Sequence, residues 1–378
     1  MANDKDFVVA GAVEVGKDTK VTLGSITSSD IDLATGNYFA DTLAANTTYT
    51  LSNAGDVQSF QLEVTGGSVG YDLGAAVYDS VSFSVATEEA TPNGVTFNEN
   101  GTKMFICGSA GDEVNEYALS TAWDVSTASY TTVFSVSAQD TAPEDIAFKP
   151  DGTKMYMVGR TGDAVYQYSL STAYGISTVS YDSVSLSVSS QDIFPTGLRF
   201  SSDGTKLFVL GDTNDTIYQY GLTTAWDLST ASYASKSFSV ASQDPAPSSL
   251  AFNSSGTKLF VIGRSTRDAF QYTLSTAWDI STASYDSITF VLENQPGDPA
   301  GMAFSADGTK MYVVDYNADL VYQYSTATTT TLTWPSSIEW AGGVAPSAPA
   351  TGETDVYTLV TDDGGTSYVG VKTADNLS

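Results

Sequence analysis

From Gly101 the chain alternates apolar and polar positions in short runs, and the runs repeat as whole sentences. The segment GTKMFICGSAGDEVNEYALSTAWDVSTASY starts at Gly101, and edited copies start at Gly152, Gly204 and Gly256. A fifth, shorter copy starts at Gly308, so the period is 51 or 52 residues. A fixed period of this size marks a solenoid, a propeller or an array. Within the second copy the pattern predicts four strands. Residues 145–148 form a short apolar run, and residues 149–153 a turn with Asp-Gly as its hairpin signal. Residues 154–159 and 164–170 follow as strands around a tight turn, and residues 181–188 alternate with period two. No stretch sustains helical periodicity. Four antiparallel strands in about 50 residues describe a propeller blade.

The ends of the repeat set the blade count. The fourth-strand pattern begins at Tyr78, Tyr130, Tyr181, Tyr233 and Tyr285, so its first copy precedes the first Gly-Thr-Lys hairpin. The last copy stops at Tyr324 after three strands and lacks the linker Leu-Ser-Thr-Ala-Trp-Asp found in the others. Residues 78–85 are therefore expected to complete the last blade and close a ring of five. An open solenoid would leave two unpaired edges.

The flanking pieces do not match the repeat. Strands are expected at residues 7–15, 20–26, 48–51, 58–64, 330–334 and 355–360. Each piece alone is short for a core. Together they suit one sandwich-sized domain, with the ring inserted in one of its loops. The expected organisation is all-β: residues 1–70 and 328–378 as two parts of a β-sandwich, and residues 71–327 as a five-bladed β-propeller.

Val57-Gln58-Ser59-Phe60-Gln61-Leu62-Glu63-Val64-Thr65-Gly66-Gly67, read on to Thr331-Leu332-Thr333-Trp334-Pro335-Ser336-Ser337-Ile338-Glu339-Trp340-Ala341-Gly342-Gly343, resembles a segment of tailed-bacteriophage structural and fibre proteins. So do residues 355–359 with 362–368, and the opening Lys5-Asp6-Phe7-Val8-Val9. The Asp-Gly-Thr-Lys strand pattern resembles bacterial surface-layer-type propeller repeats. The first resemblance implies a virion structural protein, assembled in the host cytoplasm. It would be a tail fibre or receptor-binding component whose propeller projects outward to the host surface, or a capsid-decorating or head-fibre protein. Its partners would be other virion proteins, further copies of itself, and a host-surface glycan or protein. A multivalent lectin-like protein is the reading from a different class.

Charge and chemistry narrow this further. The net charge is −29, with 44 Asp and Glu against 15 Lys and Arg, which speaks against binding a phosphate backbone. Residues 1–6 lack a basic signal-peptide start, and no apolar run approaches the 18 residues of a membrane span, so neither export signal nor membrane insertion is expected. There is no histidine, which excludes histidine triads and imidazole metal sites. The single cysteine, Cys107, falls where the other copies have Val158, Leu210, Ile262 and Val314, and is expected in the core. No cofactor and no metal are expected.

Two features recur in register. Asp112, Asp163, Asp215, Asp268 and Asp319 stand at the second hairpin of each blade. Aspartate starts turns by accepting nearby backbone N–H groups; a face of such acids would also suit a cation or sugar hydroxyls. Trp123, Tyr174, Trp226 and Trp278 stand in the linkers. Such aromatics pack outer strands or, when exposed, stack on sugar rings. A glycosidase would need carboxylates in unlike surroundings. The blades are so alike that no enzyme is expected.

Overall fold

The computed structural model describes residues 26–27, 29–43, 47–66, 68–292, 297–349 and 352–377. The strand expected at residues 7–15, and all but Ile26 of that at 20–26, lie outside them. Strands join through tight turns and five single-turn 3-10 segments. Among the described residues no helix is long and apolar enough to cross a membrane.

The chain divides into two compact units, Gly70–Thr328 and the two end segments Met1–Val69 and Thr329–Ser378. The larger unit is a five-bladed β-propeller. Blade 1 runs Pro92–Phe97, Lys103–Gly108, Glu113–Leu119 and Ala128–Ser135. Blade 2 runs Pro143–Phe148, Lys154–Gly159, Ala164–Leu170 and Val179–Ser187. Blade 3 runs Pro195–Phe200, Lys206–Gly211, Thr216–Leu222 and Ala231–Ser239, and blade 4 Pro247–Phe252, Lys258–Gly263, Asp268–Leu274 and Ala283–Val291. Blade 5 takes Pro299–Phe304, Lys310–Asp315 and Leu320–Ser325 from the end of the repeat and Val77–Ser84 from its beginning. Each first strand lies beside those of both neighbouring blades, and blade 5 meets blade 1.

First and second strands are buried on both faces, which explains continuous apolar runs such as Met155-Tyr156-Met157-Val158. Fourth strands alternate buried and exposed positions. The core is distributed into five clusters, one between each pair of adjacent blades. Val95, Met104 and Ile106 of blade 1, for example, pack on Tyr312, Val314 and Val321 of blade 5. Cys107 is fully buried between blades 1 and 2. Burial pushes its thiol up, with Asp145 the next cause, so it behaves as a small apolar side chain.

One hydrogen bond ties each blade to the next. The backbone N–H at the first residue of each linker 3-10 turn donates to a carbonyl or carboxylate oxygen on the third strand of the preceding blade. Ile176 donates to Glu116 Oε2 at 3.2 Å, Leu228 to Gln167 Oε1 at 2.8 Å and Ile280 to Gln219 Oε1 at 3.0 Å. Val125 donates to Gln323 Oε1 at 3.1 Å and Leu73 to Gln271 Oε1 at 3.2 Å. These N–H groups are buried, so leaving one unpaired costs about 1–3 kcal/mol. The linker that looked absent after Tyr324 is thus supplied from the other end of the repeat, by Tyr71, Asp72 and the turn Leu73–Ala75.

In the smaller unit, strand Gln58–Thr65 pairs antiparallel with Thr354–Thr361, from Gln58 opposite Thr361 to Thr65 opposite Thr354. A five-stranded sheet runs in the order Tyr38–Thr42, Gln58–Thr65, Thr354–Thr361, Tyr368–Leu377, Ile338–Trp340. Strictly alternating burial puts Phe60, Leu62 and Val64 into a core shared with Trp334, Tyr357 and Leu359. The run expected at 48–51 is broken at Tyr49, so Thr47–Thr48 and Thr50–Ser52 pair in two different small sheets.

Closure has a polar clasp. Asp79 on the early strand accepts from Lys310 Nζ at 2.6 Å, Ser325 Oγ at 2.6 Å and Gln323 Nε2 at 2.9 Å. Burial works to raise its pKa, but the bonds from Lys310, Ser325 and Gln323 outweigh burial and hold it below the ordinary carboxylate value. An acid with a depressed folded pKa stabilises above its unfolded value, about 3.9, and loses that contribution as pH falls through the folded value. Asp79→Asn is expected to cost about 1–3 kcal/mol at pH 7. The deficit should close as pH falls below about 4, followed by urea unfolding at each pH. A deficit independent of pH would contradict the ionic clasp.

Candidate functional surfaces of the ring

The recurring aspartates serve the backbone. Asp112, Asp163, Asp215 and Asp319 adopt left-handed φ of 51, 46, 48 and 54°. Asp is one of the few non-glycine types that visit this region; the turn is held through its backbone, and Asp215 Oδ1 and Asp319 Oδ1 are buried without a hydrogen-bond partner among the described residues. The carbonyl at this position accepts the N–H that ends the fourth strand, as Asp112 O does from Val136 N at 2.9 Å. In blade 4 that place belongs to Arg267, with φ of 62° and its carbonyl accepting from Leu292 N at 3.0 Å. Asp268 is the first residue of the following strand, so the expected register is corrected by one residue there. The turn has four residues in every blade, and Arg267 follows Gly256 at the spacing by which Asp163 follows Gly152.

The blade-joining loops aim buried carboxylates at these same hairpins. Asp140 accepts from the N–H groups of Ala142 at 2.8 Å, Thr161 at 3.2 Å and Gly162 at 2.8 Å. Asp192 and Asp244 do the same one and two blades on. Burial first, then the charges of Asp140 and Asp192, push Asp163 above the ordinary value. Asp215 shifts the same way, through burial, Asp244 and Asp192. Among the described residues no three acids are arranged to hold a metal ion. This acidic face is built as hairpin anchors.

The linker aromatics occupy the opposite ends of the strands. Trp123, Tyr174, Trp226 and Trp278 have φ between 54 and 65°, a left-handed conformation that bulky residues rarely take. Each donates its N–H to the carbonyl of a hairpin glycine, as Trp226 does to Gly204 at 3.0 Å, and lays its ring against that glycine. A Cβ at Gly204 would run into the Trp226 indole, and the glycine itself has φ of 70°. Hence the Gly-Thr-Lys glycine and the linker aromatic form one unit. Tyr71 is the fifth member, with φ of 60° and its N–H on Gly308 O at 2.7 Å. Sequence reading missed it because it lies 237 positions before its glycine.

These aromatics do not define five separate sites. Tyr71, Trp123, Tyr174, Trp226 and Trp278 are half-buried and line one depression on the ring axis, with a volume of about 340 Å³. The first-strand phenylalanines, such as Phe148 and Phe200, line it too. Arg199 also lines it, and here the fivefold likeness breaks. The other blades have Thr96, Ala147, Ala251 and Ala303 at that place. Arg199 Nη1 donates to Asp145 Oδ2 of blade 2 at 2.5 Å, and Nη2 to Met302 O of blade 5 at 2.7 Å. One side chain therefore bridges three blades across the channel. Asp145 is buried, with Oδ1 also accepting from Ile146 N at 2.8 Å and Oδ2 from Leu198 N at 3.1 Å. A half-open apolar depression with a polar floor is a surface suited to stacking a flat or cyclic ligand.

No protein-family model and no curated protein matches the sequence. Solved structures match part of the chain. A protein of Bacteroides uniformis described as a 6-phosphogluconolactonase is 14% identical, covering 58% of this chain and 63% of that one, with a TM-score of 0.39. The periplasmic gluconolactonase of Pseudomonas aeruginosa is 13% identical over 70% and 72% of the two chains, with a TM-score of 0.41. The Cps50 (Swd1) β-propeller domain of Myceliophteria thermophila is 9% identical, covering 66% of this chain and all of that one, with a TM-score of 0.39. Likeness at this level bears on fold alone. The expectation that the chain is not an enzyme is nevertheless corrected: lactonases stand among the solved structures it matches. The premise fails as well, because the channel residues are not alike from blade to blade.

Removing Arg199 alone leaves Asp145 buried without its counter-charge. Arg199→Met should cost about 3–5 kcal/mol. The double variant Asp145→Asn with Arg199→Met should recover most of that loss. Denaturant unfolding of the four proteins gives the coupling energy; additive single effects would show that the bridge is not a coupled pair.

Proposed function

We propose that the chain is a surface-recognition component of a tailed-bacteriophage particle. The end segments serve as a split sandwich that attaches it to other virion proteins, and the ring binds a host-surface glycan in the aromatic depression. The observation that carries the binding half is the convergence of five half-buried aromatics from five blades on one axial cavity. The virion half is supported by the end segments: the two stretches that read as one segment of phage fibre proteins share one core, Phe60, Leu62 and Val64 packing with Trp334 and Ile338. The single shared depression favours one ligand per chain over the five equivalent sites of a lectin-like reading.

The test has two arms. Mass spectrometry of purified particles should find the chain; its absence would remove the virion assignment. Binding of the fluorescent full-length chain to host cells and to a glycan array should fall about tenfold in Trp226→Asn with Trp278→Asn, since each aromatic contact is worth about 0.5–1.5 kcal/mol. Asparagine tolerates the left-handed backbone while removing the ring. Undiminished binding by a folded double variant would rule out the depression.

A further inference from the structure

A second departure from the repeat lies at the channel end away from the aromatics. The residue after the first-strand proline is Asn93, Glu144, Thr196, Ser248 or Ala300. The residue just after the second strand is Ser109, Arg160, Asp212, Arg264 or Tyr316. Glu144, Arg160, Asp212 and Arg264 together line a small pocket of about 40 Å³ with Phe194 and Thr196. The chain has only four arginines and a net charge of −29, yet two of those arginines meet here.

Both guanidinium groups are held ready and unsaturated. Arg160 lies 4.2 Å over the Phe194 ring and Arg264 lies 5.1 Å over the Tyr316 ring. Their nearest carboxylates stand at 3.4 Å (Glu144) and 3.6 Å (Asp298). Charge-assisted hydrogen bonds close to about 2.7–2.9 Å, and the Lys103–Glu116 and Lys310–Asp79 pairs of this chain reach 2.8 and 2.6 Å. Neither guanidinium forms a hydrogen bond to a described residue. Their side chains keep 41% and 33% of their exposure, while the Glu144 side chain keeps 7%. Stacking fixes each fork in orientation without consuming its donors, which suits a planar anion gripped in a bidentate manner.

The geometry points to a binding site for one carboxylate group at this mouth, gripped by Arg160 and Arg264, with the Glu144 carboxyl as third partner. The pocket holds the carboxylate head, and the rest of the ligand extends into solvent. A monoanion fits better than a phosphate dianion because Asp140, Asp212 and Asp298 crowd the same mouth. Burial raises Glu144 to about 7, against the pull of Arg160 and Arg264 and with the push of Asp140 and Asp212. Below that pH Glu144 is a hydrogen-bond donor to the ligand, and above it a repelling charge. Affinity therefore rises as pH falls through about 7.

Isothermal titration of the full chain with D-glucuronate, D-glucose and inorganic phosphate tests the site. Saturable one-to-one binding of glucuronate, and none of glucose, is expected. Arg160→Gln, at an exposed position, and Arg264→Gln, at a half-buried one, both checked for unchanged unfolding, should each weaken it at least about tenfold. Glu144→Gln keeps the donor and should abolish the pH dependence between 6 and 8. Trp226→Asn with Trp278→Asn should leave glucuronate binding intact, which separates this site from the aromatic depression. No saturable binding, equal binding of glucose, tighter binding of phosphate, or full affinity in both arginine variants would overturn the assignment. So would an undiminished pH dependence in Glu144→Gln.

Discussion

The hydrogen bond from each linker turn to the third strand of the blade before it is the contact on which the rest of the propeller depends. It recurs at all five junctions, and the blade 4–5 junction is completed by Leu73 from the opposite end of the repeat. A β-sheet is stable only when its edges are paired or covered. In a ring of blades every apolar face needs a neighbour, so the interfaces form one closed cycle. The early strand Val77–Ser84 satisfies both demands, pairing with Leu320–Ser325 and carrying the linker that reaches blade 4.

Closure also explains why the repeat is so strict where it is strict. Apolar positions of the first three strands face another blade on both sides. The hairpin glycine must accept an aromatic ring on the space a Cβ would fill. The aspartates that look like ligands mark turns: some take a left-handed backbone whose carbonyl receives the end of the fourth strand, and others collect the N–H groups of the next hairpin. Periodic residues therefore report packing and turn chemistry, whatever their side-chain type.

The channel obeys a different rule. First strands of five blades converge on one axis, where identical large side chains would collide and identical charges would repel. Arg199 has alanine or threonine at its four equivalents, and Asp145 has glycine or serine. One arginine suffices to bridge three blades. At the far mouth, Arg160 and Arg264 answer to serine, aspartate and tyrosine elsewhere. The places where a repeat protein departs from its own repeat are where chemistry that acts once per molecule is to be sought.

The sequence by itself determined the elements and their number. Period, hairpin glycines and alternation identified four strands per blade, and the out-of-phase strand at Tyr78 implied closure, because these signals are local and repeated five times. Cys107 was legible as core by position in the repeat. What only the tertiary structure decided is convergence. Tyr71 joins the aromatic set across more than two hundred residues. Arg160 meets Arg264 from blades that are not neighbours. Periodicity records what each blade shares, whereas the axis brings together what differs, and distances between distant segments are set by closing the ring rather than by any local run of residues.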